Sequence, residues 1–253
     1  LIASMVMAII IGYCFYLQIR VIRKQNHIAR LRQDFTHTMV HDMKSPITTI
    51  LTSANELKEG KLDDKAELKK EYFETIQKEG NHLLSLANKA LTIAKFEEDK
   101  ITLAKSNIPV KELFGSLINK YQLASTKKVE FLTELNDILT IYADPEYFDE
   151  ALGNLIDNAI KYSKENVTIR ITCHKEKNNT MVSVEDNGIG ISVNDQKQFG
   201  LGLNYVYQIV KAHGGNIKIE SAPDQYSKFT ISIPQRLRLS YYLSKTMRTL
   251  GTS

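Results

Sequence analysis

The sequence predicts an α+β protein in which a long helical segment precedes a domain of alternating strands and helices. Two patterns lead to this fold class. Apolar residues recur at steps of three and four along residues 20–97, which is the spacing of one helix face. From residue 101 onward, short β-rich runs alternate with helical patterns, as expected where helices pack on one face of a mixed sheet. A composition of 43% hydrophobic and 25% charged residues is typical of a globular core.

The first element is a nearly uncharged apolar run over residues 1–19, which is long enough to span a bilayer. Arg20, Arg23 and Lys24 follow it, so the positive-inside rule predicts that the rest of the chain is cytoplasmic. A signal peptide would begin with a basic segment and end at a small-residue cleavage site, and the run has neither. We therefore predict a transmembrane helix over 1–19. Because the chain opens with Leu1, we expect it to be a fragment of a longer protein.

The second element is a helical hairpin, predicted over residues 35–97 and preceded by a cytoplasmic juxtamembrane linker helix over 20–34. The apolar periodicity stops at Gly60–Asp64, which predicts the turn between the two helices. A lone hairpin leaves its apolar seam exposed to water. A homodimer that forms a four-helix bundle is therefore the expected arrangement.

Residues 98–234 are predicted to form an α/β sandwich, a mixed sheet with helices on one face. Helical patterns cover 145–162, with Asp144 as the N-cap and Pro145 at the first helical position, and 203–213. The predicted strands cover 129–135, 138–143, 167–173, 181–185, 217–220 and 229–233. The tail, 235–253, is basic and has no acidic residue, which suits either disorder or contact with a membrane surface.

His41 is the first candidate for chemistry. It lies two residues from both Met39 and Met43 on the apolar stripe, so the 100° advance per residue places it on the solvent-facing side. Asp42 follows directly, and Pro46 interrupts the helix at a cost of about 3 kcal/mol with a local kink. A neutral imidazole is a competent nucleophile. A nearby carboxylate can orient the ring and accept its second proton. The pattern predicts an accessible and locally strained histidine.

Metal binding is the alternative for this helix, because His37 and His41 are spaced i, i+4. The residues between them lack the glutamate of a zinc-protease helix, which argues against it. Cys14 and Cys173 have no metal-ligand spacing, so both are predicted to be small buried side chains in a reducing compartment. The net charge is only +4, and there is no basic face with interleaved aromatics, so direct nucleic-acid binding is not expected.

Three further motifs lie in the second domain. Asn154, Asn158 and Lys161 share one helix face, and amide oxygens there suit a site at which Mg²⁺ is shared with a nucleotide and water. Glycines after a strand, within 186–190, allow close backbone approach to a ligand. Glycines within 200–203 open a helix whose N-terminal N–H groups can bind phosphate. Each pattern alone has an ordinary alternative: a polar surface stripe, a turn, or a GxG of low specificity.

Together the motifs resemble those of bacterial membrane-bound sensor histidine kinases of two-component systems. Residues 35–46 resemble the H-box, residues 154–162 the N-box, and residues 184–191 and 200–203 the two glycine boxes. They occur in the order typical of the family, behind a membrane span and a helical hairpin. The resemblance extends over residues 20–234, nearly the whole chain.

The resemblance implies an ATP-dependent protein-histidine kinase with a GHKL-type ATP-binding domain, anchored in the bacterial inner membrane. His41 would accept the γ-phosphoryl group, and Asp42 would assist proton removal. The phosphoryl group would then pass to an aspartate of a cognate response regulator. The ATP-binding residues that the resemblance implies are Asn154, Asn158, Lys161, Tyr162, Asp186, Gly188, Gly190, Gly200, Leu201, Gly202 and Leu203.

Individual roles also follow from the resemblance. Asn158 would ligate Mg²⁺, and Asn154 and Lys161 would contact phosphates. Tyr162 would flank the adenine or the ribose, and Asp186 would accept the adenine amino hydrogen.

Two features depart from the family pattern. Relatives carry a long ATP lid with a phenylalanine-containing box where this chain has only Ser192–Phe199. Because lids are mobile, we expect that lid residues are missing from the sequence rather than that the lid is lost. Asp42 followed by Ser45 matches imperfectly the acid and Thr or Asn pair that positions water for dephosphorylation, so phosphatase activity stays open.

Two other functions compete with the kinase. An ATP-hydrolysing machine of the gyrase or chaperone type would have glutamate at the first N-box position, where this chain has Asn154. A degenerate kinase that only dimerises at the membrane would explain the short lid. However, His41, Asn158, Asp186 and Gly188 are intact. The sequence therefore favours ATP-dependent autophosphorylation of His41 followed by transfer to a response regulator.

Overall fold

The structure is a computed structural model that describes residues 2–59, 65–98, 100–125, 127–135, 138–191 and 200–235. The chain divides into two compact units. The first comprises Leu1–Ala87 and Gln198–Leu201, and the second comprises Asn88–Lys197 and Gly202–Ser253.

Two long helices make up the N-terminal part of the chain, α1 (Ile2–Lys58) and α2 (Ala66–Glu97). The helix predicted for 1–19, the linker helix and the first hairpin helix are thus one continuous element. The helix continues through Pro46, which is buried. The predicted turn at Gly60–Asp64 lies outside the described residues. Among the residues that are described, no helix combines the length and the apolar character needed to cross a membrane.

The two helices of the first unit expose large apolar side chains. They include Val40, Ile47, Leu51, Phe73 and Leu84, with exposures between 44% and 63%. Cys14 is also exposed, so the prediction that both cysteines are buried is wrong for this residue. No described part of the chain covers this stretch of α1, since the neighbouring Tyr13 and Phe15 are exposed too. Cys173 is buried, as predicted.

The second unit contains most of the remaining elements in an α+β arrangement. In chain order these are β1 (Ser106–Pro109), α3 (Val110–Ala124), β2 (Lys128–Leu135), β3 (Thr140–Ala143), α4 (Pro145–Lys161), β4 (Asn166–Glu176), β5 (Asn179–Asp186), α5 (Leu201–Ala212), β6 (Asn216–Ala222) and β7 (Tyr226–Pro234).

Five strands form one mixed sheet in the order β2-β4-β5-β7-β6, in which β2 and β4 are parallel and the other pairs are antiparallel. The register aligns the buried residues Ile171, Val184 and Phe229 across neighbouring strands on the face against which α4 packs. The opposite face carries the ion pairs Glu134–Arg170 (2.6 Å) and Glu185–Lys228 (3.1 Å). The predicted mixed sheet is confirmed. Two further strands, β1 and β3, pair separately.

Neither β1 nor α3 was predicted from the sequence. Helix α3 buries Val110, Phe114, Leu117 and Tyr121, which lie at steps of three and four, so its periodic signal was present. It begins after Pro109, which provides no side-chain capping hydrogen bond. Without a capping residue, the usual local mark of a helix start was missing.

The start of α4 agrees with its prediction, because the carboxylate of Asp144 accepts a hydrogen bond from the N–H of Tyr147 (3.3 Å). The other oxygen of Asp144 accepts from the N–H of Ala104 (2.7 Å). The N–H of Asp144 donates to Nε2 of the buried His213, just beyond the end of α5 (2.9 Å). Nδ1 of His213 lies 2.8 Å from the carbonyl of Ile209. Since Nε2 accepts, the neutral ring carries its proton on Nδ1.

Candidate functional site

His41 lies on α1 with 80% of its side chain exposed, as the helix geometry predicted. Its Nδ1 is 3.6 Å from a carboxylate oxygen of Asp42. In the tautomer that carries its proton on Nδ1, on the side of Asp42, Nε2 has the lone pair that a nucleophile needs. Ser45, the third residue proposed for this site, is exposed on the same helix, and its carbonyl accepts a hydrogen bond from the hydroxyl of Thr49 (3.2 Å).

The candidate nucleotide site belongs to the second unit and begins with Asn154 on α4, which is only 5% exposed. Its Nδ2 donates to the carbonyl of Glu150 (2.8 Å), and its Oδ1 accepts from Nζ of Lys89 (2.7 Å). An ammonium can only donate and a carbonyl can only accept, so these partners fix the orientation of the carboxamide. Asn154 therefore presents an acceptor oxygen to the site.

The C-terminal half of α4 carries the other N-box residues. Asn158 is half-buried, one turn beyond Asn154. Lys161 is exposed, with its ammonium 5.1 Å from the centre of the Tyr162 ring. Tyr162 is 50% exposed, so a flat aromatic surface is available beside a positive charge. That combination suits a base or ribose next to phosphates.

Asp186 ends β5 and is 6% exposed. Its Oδ1 accepts a hydrogen bond from the N–H of Gly188 (2.8 Å). Burial raises the pKa of Asp186 to about 6, although hydrogen bonds from the N–H groups of Gly188 and Ser227 act in the opposite direction. Above that pH the side chain is a buried anionic acceptor, as an adenine amino group requires.

The glycines after Asp186 are required by close backbone contacts. A Cβ on Gly188 would lie 2.7 Å from the carbonyl oxygen of Tyr162. Gly190 has a φ of +67°, and a Cβ there would lie 2.2 Å from the carbonyl oxygen of Ala222. The N–H of Ile189 donates to the carbonyl of Tyr162 (3.1 Å). The first glycine box is thus attached directly to the end of the N-box helix.

The second glycine box opens α5, which begins at Leu201. A Cβ on Gly202 would lie 3.3 Å from Oδ1 of Asn154, so the start of α5 approaches α4 at that residue. The first N–H groups of a helix can bind phosphate. Leu201 is buried, and Gly200 and Leu203 are half-buried.

The structure thus brings together residues from all three predicted ATP motifs. Asn154 meets Gly202, Tyr162 meets Gly188, and Gly188 meets Asp186. His41, Asp42 and Ser45 belong to the other compact unit.

Three residues at or near this site were not predicted. Lys89 on α2 contacts Asn154, as described above. Asn187 binds two backbone groups of β4, the N–H of Thr168 (3.0 Å) and the carbonyl of Asn166 (3.3 Å), and so fixes the strand end that carries Asp186. The hydroxyl of Ser221 accepts from the N–H of Ile191 (2.7 Å). Only Asn187 had a sequence signal, since Asp-Asn-Gly predicts a turn.

The predicted lid, 192–199, lies outside the described residues. Within the described ranges there is no group of three or more His, Cys, Asp or Glu side chains that could hold a metal ion. The amide oxygens of Asn154 and Asn158 could hold a Mg²⁺ ion together with oxygens of phosphates and water. This donor set matches the preference of Mg²⁺ for oxygen ligands that include substrate phosphates.

Comparisons with known families agree with the two parts of the chain. Residues 31–99 match the His Kinase A (phospho-acceptor) domain. Residues 143–237 match the family described as histidine kinase-, DNA gyrase B-, and HSP90-like ATPase. The sensor protein RprX of Bacteroides fragilis (strain YCH46) is 30% identical over 258 residues, which cover 92% of this chain and 49% of RprX. The chain thus spans about half the length of this relative.

Solved structures have the same fold. The Acinetobacter baumannii histidine kinase AdeS covers 78% of this chain and 98% of its own, with a TM-score of 0.66 at 24% identity. The histidine kinase ThkA, solved in complex with the response regulator protein TrrA, covers 79% of this chain and 61% of its own, with a TM-score of 0.63 at 28% identity. The chain belongs to the sensor histidine kinases of two-component systems, with a dimerisation domain and a GHKL-type ATP-binding domain.

Proposed function

We propose that this protein is an ATP-dependent protein-histidine kinase that phosphorylates His41 and passes the phosphoryl group to an aspartate of a response regulator. The observation that carries the proposal is the meeting of three ATP-site motifs around Asn154, Tyr162 and the buried Asp186. The same chain carries an exposed histidine beside a carboxylate, His41 with Asp42.

In the proposed site, each residue does what its surroundings allow. The carboxylate of Asp186 accepts the adenine amino hydrogen, and Tyr162 covers the base or ribose. Lys161 and the N-terminus of α5, including Gly202, bind phosphates. Asn158 holds Mg²⁺, which neutralises phosphate charge when it is bound, and the acceptor oxygen of Asn154 faces the same region. Gly188 and Gly190 let the backbone approach closely at the adenine end.

The proposed chemical step uses the neutral His41 ring with its proton on Nδ1 and its lone pair on Nε2. The Nε2 lone pair attacks the γ-phosphorus, an Nε2–P bond forms, and the P–O bond to ADP breaks. The proton on Nδ1 becomes acidic as the ring gains positive character, and Asp42 draws it away. In the second transfer, the N–P bond breaks as a carboxylate oxygen of the response regulator forms a bond to phosphorus. That partner is supported by the structure of ThkA, a relative solved with one.

We also propose that the protein is a homodimer whose subunits join through the hairpin in a four-helix bundle. The apolar side chains exposed on α1 and α2, among them Leu51 and Leu84, support this arrangement. The proposed division of the chain is 1–19, 20–34, 35–97, 98–234 and 235–253, in the order membrane anchor, linker, phosphotransfer domain, ATP-binding domain and tail.

The proposed location is the bacterial inner membrane, with the kinase core in the cytoplasm. The apolar sequence of residues 1–19 and the basic residues after it support this location. Fractionation of cells that express the chain should place it in the membrane pellet after carbonate extraction. Recovery in the soluble fraction would contradict the anchor.

The kinase is tested with γ-³²P-labelled ATP and Mg²⁺, using wild type and His41→Gln. We expect label on the wild type that is labile to acid and stable to alkali, and none on the variant. Phosphate release without protein label would instead identify an ATPase, and absence of nucleotide binding would identify a non-enzymatic adaptor. A second variant, Asn158→Ala, should lose Mg²⁺-dependent ATP binding, and unchanged affinity would contradict its assignment.

A further inference from the structure

The hydrogen bond between Lys89 and Asn154 is accompanied by a second contact between the end of α2 and α4. Seven residues after Lys89, the ring of Phe96 packs edge-on against Tyr147, with ring centres 5.2 Å apart. Tyr147 lies seven residues before Asn154. The two contacts are therefore separated by about two turns on each helix, and the end of α2 runs antiparallel along α4. All four residues belong to the second compact unit.

The hydrogen bond from Lys89 occupies Oδ1 of Asn154, the side-chain atom that a ligand of the nucleotide site would bind. Its Nδ2 is already bonded to Glu150, so Oδ1 is what the side chain offers to a ligand, and Oδ1 lies beside Gly202. The ammonium of Lys89 holds that oxygen at 2.7 Å. A Mg²⁺ ion on the same oxygen would sit about 2.1 Å from it. Two cations on one nearly buried oxygen repel strongly, because little water is present to screen them.

We propose that Lys89 is a tethered competitor of the Mg²⁺-nucleotide: its ammonium takes the place of the ligand's cation at Asn154. The inference rests on the proposed function, since it assumes that Mg²⁺-ATP binds at this site. It adds that the Mg²⁺ ion assigned to Asn158 also binds Oδ1 of Asn154, one turn earlier on α4, in place of the phosphate contact that the resemblance implied for Asn154. Nucleotide binding then requires that Lys89 leave Asn154, and the end of α2 is released from α4 at that point. Any movement of α2 that withdraws Lys89 from Asn154 raises nucleotide affinity. By linkage, bound nucleotide favours that movement by the same factor.

The alternative role for Lys89 is a phosphate ligand, which predicts the opposite effect of substitution. Removing a competitor tightens Mg²⁺-nucleotide binding, whereas removing a phosphate ligand weakens it. A competitor that acts on the cation also has an effect only when Mg²⁺ is present.

The test measures binding of the non-hydrolysable analogue AMP-PNP to the full chain in detergent micelles by calorimetry. We expect Lys89→Met to bind Mg²⁺–AMP-PNP about fivefold or more tightly than wild type, because an apparent Kd is raised by the fraction of molecules in which the site is blocked. Lys89→Arg retains the cation and should bind as wild type does. The matched control is Lys95→Met, which removes an exposed lysine from the same helix.

Several results would overturn the proposal. Unchanged or weaker binding by Lys89→Met would do so, and weaker binding would identify a phosphate ligand. An equal gain in EDTA, or an equal gain in Lys89→Arg, would exclude competition with the cation. If wild type does not bind and Lys89→Met does, the contact is a block and the inference is supported. If neither binds, both this inference and the proposed ATP site are wrong, and circular dichroism of each variant establishes that it is folded.

Discussion

At the scale of single residues, the site places functional groups where they cost stability. The carboxyl of Asp186 is buried, and its pKa of about 6 shows that burial outweighs its two backbone hydrogen bonds. A charged group in this position is unfavourable for the folded chain without ligand. In the proposed site, an adenine amino group that donates to this carboxylate would offset the cost.

The first prediction concerns this cost. Asp186→Asn should abolish nucleotide binding and yet raise the free energy of unfolding at pH 8 by about 1–2 kcal/mol, since it removes a buried charge. The folded state of the wild type binds the proton more tightly than the unfolded state. The wild type is therefore stabilised as pH falls through about 6 towards 4, and the difference between the proteins should shrink. Urea denaturation at pH 8 and pH 5 measures both effects; a less stable variant at pH 8 would contradict them.

At the scale of elements, backbone contacts decide which residues can join them. Gly190 links the end of β5 to the β6–β7 turn in a conformation with positive φ. Gly115 lies inside α3, where a Cβ would meet no other atom within 4 Å outside its own helix turn. Replacing each of the two glycines by alanine should therefore have opposite effects on the stability of the fold.

The second prediction pairs these glycines. Gly190→Ala should destabilise the ATP-binding domain by more than 1 kcal/mol, because both the backbone conformation and the 2.2 Å approach to Ala222 oppose a side chain. Gly115→Ala should stabilise it by about 0.5–1 kcal/mol, since alanine is the better helix former. Thermal unfolding of both variants measures the difference. Equal shifts in the same direction would show that close approach is not what selects glycine at position 190.

His213 joins two elements, since it bonds the start of α4 and the last turn of α5 through its two ring nitrogens. Burial is the largest cause that lowers its pKa; Lys105 also lowers it, while the hydrogen bond to Ile209 and the charge of Asp144 act in the opposite direction. Protonation would turn Nε2 from an acceptor into a donor facing the N–H of Asp144. The neutral form is therefore the one that holds the two helices together.

The third prediction follows from this titration. The unfolded state binds the proton of this histidine more tightly, so its contribution is complete above the unfolded pKa of about 6.5 and is lost as pH falls below it. His213→Gln should be less stable than wild type at pH 8, and the difference should narrow towards pH 5. Measurement in an Asp186→Asn background removes the opposing titration of that carboxyl. A difference that does not change with pH would contradict the prediction.

At the scale of the whole molecule, the exposed apolar residues of the hairpin are the main feature that one chain leaves unexplained. Leu51 is 59% exposed and Leu84 is 62% exposed. Large apolar side chains exposed in this number on one hairpin favour a protein interface. In the proposed homodimer, a second copy of the hairpin would supply the complementary surface by symmetry.

The fourth prediction tests this interface. The double substitution Leu51→Glu and Leu84→Glu should convert a dimer into a monomer in sedimentation equilibrium, because four buried charges would face one another across the bundle. Helical content should be retained, since both side chains are exposed in the single chain. The matched control is Leu139→Glu, at a leucine that is 83% exposed in the second unit. A dimer that persists in the double variant would place the interface elsewhere.

The sequence alone determined the elements whose signals are local. Apolar periodicity located α1, α2, α4 and α5, and the pattern Asp144-Pro145 located the start of α4, because helix faces and caps depend on residues a few positions apart. The motifs also predicted which residues form the candidate ATP site, and helix geometry predicted the exposure of His41. Helix α3 was not predicted although its apolar stripe is present, because it lacks a side-chain cap at its start.

The tertiary structure decided what depends on residues distant in the sequence. The strand order β2-β4-β5-β7-β6 and the fit of Gly188 against the carbonyl of Tyr162 require chain segments to meet in space, and no local pattern encodes that meeting. The contact of Lys89 with Asn154 joins residues 65 positions apart. A lysine on a helix is ordinary in sequence, and only the packing of α2 along α4 places its charge on the side-chain oxygen of Asn154 in the candidate nucleotide site.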